Sequence, residues 1–174
     1  MIELQGTLIE RLEQAVNLIC SEVTNEEIAH FYEIYEKAGI KPSLSAVEFF
    51  EKYGGAYRDN YIMLPNPKHN ADIFLKCYGK YEDGDLEYAA QYLDMVKEVA
   101  KQDVCPIALI GYQEPADVFI GENGLLYCLY EFKEEIDVFN TPAEILEYYL
   151  RNEVPIGVDE KPIQKSYDGS TTKV

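Results

Sequence analysis

An α+β fold, an antiparallel β-meander sheet packed by N-terminal helices, a middle helix and a C-terminal helix, follows from three features of this chain. Between Val104 and Leu150, four short runs rich in strand-forming residues succeed one another. Their connections are too short for a parallel return, which takes a dozen residues or more. That stretch closes on Thr141-Pro142-Ala143-Glu144. A capping hydroxyl, a proline where the missing N–H costs nothing and a carboxylate that reaches back together open a helix. Upstream, three hydroxyl-x-x-Glu signatures each introduce apolar residues at helical spacing.

The first signature, Thr7 to Glu10, starts a helix running to about Glu22, with Leu8, Leu12, Ala15 and Ile19 on one side. Thr24 to Glu27 starts a second, whose stripe is Ile28, Phe31, Tyr35 and Ala38, and Gly39 ends it. Ser45 to Glu48 caps a third, with Phe49, Phe50 and Tyr53 turned inward until Gly54-Gly55 stops it. Tyr61–Leu64 and Ile73–Cys77 read as strands around the loop Pro65–Asn70. Asp83-Gly84-Asp85 reads as a turn and N-cap for a longer helix from Leu86 to about Gln102, with Ala89, Leu93, Val96 and Ala100 inside. Strands follow at Val104–Ile110, Asp117–Ile120, Leu125–Phe132 and Ile136–Phe139, with Gly121-Glu-Asn-Gly124 as a turn of residues that tolerate positive φ. Pro155 and Pro162 interrupt any helix, and Ser166–Val174 reads as a frayed tail. The division is an N-terminal helix over 1–23, a main domain over 24–152 and an extension over 153–174.

At 174 residues, 47% of them hydrophobic, the chain has material for a packed core and is not disordered throughout. Thirty-two acidic against 15 basic residues give a net charge of −17. Such a field repels nucleic acid and anionic lipid and attracts basic partners at rates that fall with salt. The opening residues lack the cationic region of a signal peptide, and no apolar run approaches the ~20 residues of a membrane span. A cytoplasmic protein is expected.

Catalytic signatures are scarce. Cys20, Cys77, Cys105 and Cys128 form no CxxC pair, and Cys105 and Cys128 fall inside predicted strands, where a free thiol is a small buried hydrophobe. His30 and His69 lack the spacing of a metal pair. No nucleophile elbow, Walker loop or dinucleotide fingerprint occurs. No cofactor, no metal and no catalytic residue is expected. A Cys105–His69 dyad is conceivable, but a buried thiol without a cationic neighbour is inert by default.

Binding is therefore the favoured class. There are 15 tyrosines and no tryptophan; tyrosine gives a rigid apolar body with a polar tip, suited both to strands and to protein interfaces. Acidic loops put carboxylates beside several of them. The candidate partner-binding residues are Tyr81, Glu82, Asp83, Asp85, Tyr112, Glu114 and Glu122, although any one carboxylate is first of all a solvated side chain.

Phe49-Phe50-Glu51-Lys52-Tyr53-Gly54-Gly55 after Ala38-Gly39, then Cys105-Pro106-Ile107 leading to Ala116-Asp117-Val118-Phe119-Ile120, Gly124-Leu125-Leu126-Tyr127 and the closing Ile145–Leu150 resemble the SUKH superfamily. The closer likeness is to its third immunity-protein group, from bacterial polymorphic toxin systems. It covers Thr24 to Leu150, so the 24–152 domain is expected to be SUKH-like. It rests on the order of short apolar pieces, and Ile40 stands where that group often has tryptophan. The resemblance implies a non-enzymatic α+β domain that binds and neutralises a cognate toxin, often a nuclease or deaminase, in the producing cell. A nuclease toxin tends to be basic to hold phosphates, which suits an acidic inhibitor. Two alternatives stand beside it: a regulatory scaffold of the same fold binding a housekeeping protein or small ligand, and a hydrolase using Cys105 or a carboxylate pair.

Overall fold

The structure, a computed structural model, describes residues 5–20, 22–55, 60–64, 71–80, 82, 84–111, 114–152 and 164–165; of these, 19, 60–64, 71–74, 152 and 164–165 are described by their backbone alone. In chain order the elements are α1 (Leu8–Ile19), α2 (Asn25–Lys37), α3 (Leu44–Tyr53), β1 (Asn60–Leu64), β2 (Ala71–Cys77), α4 (Asp85–Ala90), α5 (Leu93–Ala100), β3 (Val104–Gly111), β4 (Ala116–Gly121), β5 (Leu126–Leu129), β6 (Asp137–Phe139), α6 (Pro142–Asn152) and β7 (Gln164–Lys165).

The first two helices start as their sequences dictate. The Thr7 N–H donates to the Glu10 carboxylate at 2.8 Å, and the Thr24 N–H to Glu27 at 2.8 Å, while each hydroxyl accepts from the N–H three residues on. These reciprocal bonds satisfy donors that the helix start would otherwise leave unmet. The third helix departs from expectation. Its cap is Ser43, whose Oγ accepts from Ala46 N–H at 3.2 Å, and Ser45 lies inside the helix. Two hydroxyls two residues apart compete, and Ser43 is the one with extended backbone at the chain entry.

The predicted helix from Leu86 to Gln102 is two helices. At Gln91 and Tyr92 the backbone N–H groups bond to Tyr88 and Ala89, three residues back, so the coil tightens and its axis breaks. Its N-cap is Gly84, which supplies no side-chain bond, and Asp85 instead pairs with Lys76 at 2.6 Å. The strand expected over Leu125–Phe132 is confined to Leu126–Leu129, β7 has no counterpart among the expected strands, and the predicted tail at 166–174 lies outside the described residues.

Among the described residues the strands form one sheet, ordered β6-β5-β4-β3-β2-β1-β7, with every neighbouring pair antiparallel. Registered partners share a face. Cys77, Ala108, Val118 and Cys128 make one row, and the adjacent row on the opposite face is Lys76, Leu109, Asp117 and Leu129. The first face is covered by α1, α3 and α6, with α2 laid on α3: Phe31 of α2 stacks on Phe50 of α3 at 4.4 Å, and Tyr35, one turn along α2, lies tilted against Phe31 at 4.3 Å. Truncating either phenylalanine to alanine would cost about 3–5 kcal/mol. The first helix belongs to this layer, since Leu8, Leu12, Ala15 and Val16 join the same hydrophobic core as α6. The second face carries α4 and α5, so the middle helical segment makes a third layer.

Pro106 sits in the central strand, where it lacks an N–H for the ladder. The register skips between Pro106 and Ala108, and the Tyr35 hydroxyl of α2 donates to the Pro106 carbonyl. The bulge thus absorbs the missing donor, and a buried tyrosine satisfies the acceptor.

Candidate functional site

Among the described residues the second sheet face is the one left partly open. Gln102, just past α5, donates to the Tyr127 hydroxyl at 3.1 Å, which puts Tyr127 on the side of α5. Val138 of β6 pairs with Tyr127 and shares that side. Across the break between α4 and α5 Tyr88 reaches Tyr92, and from Tyr92 the residues Met95 and Val99 recur at spacings of three and four along one flank of α5. Tyr88 is 44%, Met95 42%, Val99 51% and Val138 47% exposed. Tyr92 and Leu129 are half-buried against the core. The Tyr92 hydroxyl donates to that of Tyr88 at 3.1 Å, and the rings meet at an angle 5.4 Å apart.

Carboxylates surround this flank. Glu87, Asp94, Glu98 and Glu131 are exposed, and Asp117 lies beneath, its carboxylate held by the Tyr78 hydroxyl. Burial raises the Asp117 carboxyl above its ordinary range, against the Tyr78 hydrogen bond and with help from Asp85 and Glu131. Of the nearby cations Lys76 pairs with Asp85, and Lys97 with Asp103 at 2.6 Å on the other flank of α5, while Lys101 is exposed at the C-cap of α5.

That other flank borders a cleft of about 530 Å³ lined by Gly39 to Ser43, Leu93, Lys97, Asp103, Val104, Cys105 and Glu122. Its size suits a small ligand, but Cys105 at its base is only 2% exposed, and burial pushes its thiol up to about 12. A thiol so held is no nucleophile near neutral pH. His30 is exposed on α2, 3.7 Å from Glu33, and His69 lies outside the described residues. Among the described residues no cluster of three or more His, Cys, Asp or Glu is arranged to hold a metal ion, and no helix is long and apolar enough to cross a membrane.

Of the seven residues the sequence singles out, Tyr81, Asp83 and Tyr112 lie outside the described residues. The other four are spread out. Glu82 is exposed and ion-paired with Lys37, and Asp85 is bound to Lys76. Glu114 and Glu122 occupy turns at opposite ends of β4; the Glu114 carbonyl accepts from Tyr149 and the Glu122 carbonyl from Ser45. Tyr78, Tyr127 and Tyr130 are buried, whereas Tyr88 is exposed. Met95 and Val99 are site residues that the sequence reading does not single out. Their signal is a second apolar stripe, offset from Ala89, Leu93, Val96 and Ala100.

Fold and surface define an α+β domain with an acidic rim around an exposed apolar flank. Comparison with protein-family models, curated proteins and solved structures finds no match to this chain.

Proposed function

We propose that this chain is an immunity protein of the SUKH type, which binds and neutralises a basic toxin domain, a nuclease or deaminase, in the cytoplasm of the producing cell. It acts by occlusion and not by turnover. The observation that carries the reading is the one-sided surface charge. The net charge is −17, and Lys37, Lys76, Lys97, Lys133 and Arg151 are each already held by a carboxylate of the same chain. The uncompensated carboxylates attract a cationic protein over a distance and orient it before contact. The resemblance of the sequence to the superfamily points the same way.

Co-expression with the C-terminal domain of the polypeptide encoded beside this chain tests the reading. Growth rescue, co-purification and an association rate that falls steeply with salt are expected. A toxic neighbour that kills equally with and without this chain would remove the reading.

The cleft beside α5 favours a second reading, a scaffold of the same fold that takes a small ligand between Lys97 and Gly39–Ser43. A cellular metabolite extract that raises the melting temperature of the wild type but not of Leu93→Trp, which fills the cleft, would support it.

A further inference from the structure

We propose that the open face between α5 and β6 is where a basic protein docks, its apolar side chains lying along Tyr88, Tyr92, Met95 and Val99 and its lysines and arginines meeting the acidic rim. This rests on the reading above as to partner, and adds the place of contact and the chemistry that recognises it.

Three observations converge here. The first is continuity: the Tyr88 ring meets Tyr92 at the start of α5, Met95 and Val99 follow on the Tyr92 flank of α5, α5 packs on β5, and Val138 of the next strand is exposed on the same sheet face. Scattered apolar residues are ordinary on a protein surface, but a contiguous set rimmed by polar ones marks an interaction site. The second is composition. Tyrosine and methionine are enriched where proteins meet, since they bring large contact area at modest entropic cost. The third is charge. Glu87, Asp94 and Glu98 are exposed on the same two helices, and Glu131 and the buried Asp117 both act on the Tyr88 hydroxyl. The carboxylates attract an arginine or lysine, and the face of a tyrosine ring attracts the same cation.

A second copy of this chain fits worse. Each copy carries −17, so pairing the faces would oppose two acidic rims. Nucleic acid and anionic membrane are repelled for the same reason.

Met95→Arg and Val99→Arg test the site, because both side chains are about half exposed and arginine is a good helix former. Glu13→Arg, exposed on α1 in the other helical layer, is the control for charge alone. Against the C-terminal domain of the neighbouring polypeptide, the double variant Met95→Arg/Val99→Arg should bind roughly tenfold or more weakly with its melting temperature kept, and Glu13→Arg within a few-fold of wild type. If wild type and double variant protect equally, the face is wrong and the immunity reading stands. If the wild type protects against nothing, that reading falls and the face is judged on a lysine–leucine amphipathic peptide. That peptide should shift the ¹³C-methyl signal of Met95 in the wild type, and a glutamate–leucine peptide should not. An unmoved Met95 signal, an equal response to both peptides, or a Met95 signal that changes with protein concentration alone would overturn the proposal.

Discussion

The Tyr78 hydroxyl, on the turn after β2, donates a hydrogen bond to the carboxylate of Asp117 in β4, and the two side chains are only 2% and 7% exposed. A carboxylate is thereby kept under α4 and beneath the apolar flank of the open face. Its burial and this close donor set opposite demands on its proton.

Because burial raises the Asp117 carboxyl, the native state keeps this proton at pH values where the unfolded chain, with a carboxyl at about 3.9, has released it. The native state binds more protons in that window, so stability falls as pH rises from the unfolded value through the folded one. Asp117→Asn cannot titrate and still accepts from Tyr78. In urea unfolding across weakly acidic to neutral pH, the difference in stability between the Asp117→Asn variant and the wild type should move in favour of the variant as pH rises. Tyr78→Phe, which strips the donor from a buried carboxylate, should cost about 1–3 kcal/mol at neutral pH.

The Cys105 thiol is pushed up to about 12 by burial, so it stays protonated at pH 8. A disulfide reagent followed by mass spectrometry should label half-buried Cys20 first and leave Cys105 untouched until the protein is unfolded. Rapid labelling of Cys105 in the folded protein would revive the hydrolase alternative.

Gly79 combines a φ of +79° with a crowded surround: a Cβ there would lie 2.4 Å from Phe31 Cδ2 and 2.8 Å from Tyr35 Cε2. Gly79→Ala should destabilise by about 2–4 kcal/mol, strain and overpacking together. Gly84, at φ +84° with nothing within 4 Å, isolates the strain. Its replacement by alanine should cost only about 1–2 kcal/mol, and a difference scan of melting temperatures separates the two.

Ser43→Ala should lower stability by about 1 kcal/mol through loss of the α3 cap, and Ser45→Ala by less, since Ser45 gives only a 3.3 Å bond to the Glu122 carbonyl. Thermal unfolding of the two variants decides the ranking.

That pair also marks where the sequence is legible. Thr7 and Thr24 each have their glutamate three residues on and no rival hydroxyl two residues away, so both starts read correctly. At Ser43 and Ser45 the letters allow two caps, and the choice comes from where the chain arrives. The meander is readable because β3, β4, β5 and β6 alternate with turns too short for any other path. The division of α4 from α5 is not, since Gln91 and Tyr92 are ordinary helix residues and the break lies in their hydrogen-bond spacing. The candidate site is least legible. Acidic loops are local in sequence and stand out there, whereas the open flank depends on Val138, some forty residues from Val99, falling on the sheet face that carries α5.

The hydroxyl of Tyr35 fastens the helical layer to the sheet at the point where Pro106 breaks the ladder. Slippage of that strand by one register step would strand a buried phenol and flip Ile107 and Ala108, so the central ribbon has a single setting. A platform locked in this way gives up little freedom when something settles on its far side. Affinity there would draw on preorganisation, and loosening Tyr35 would weaken a contact it never touches.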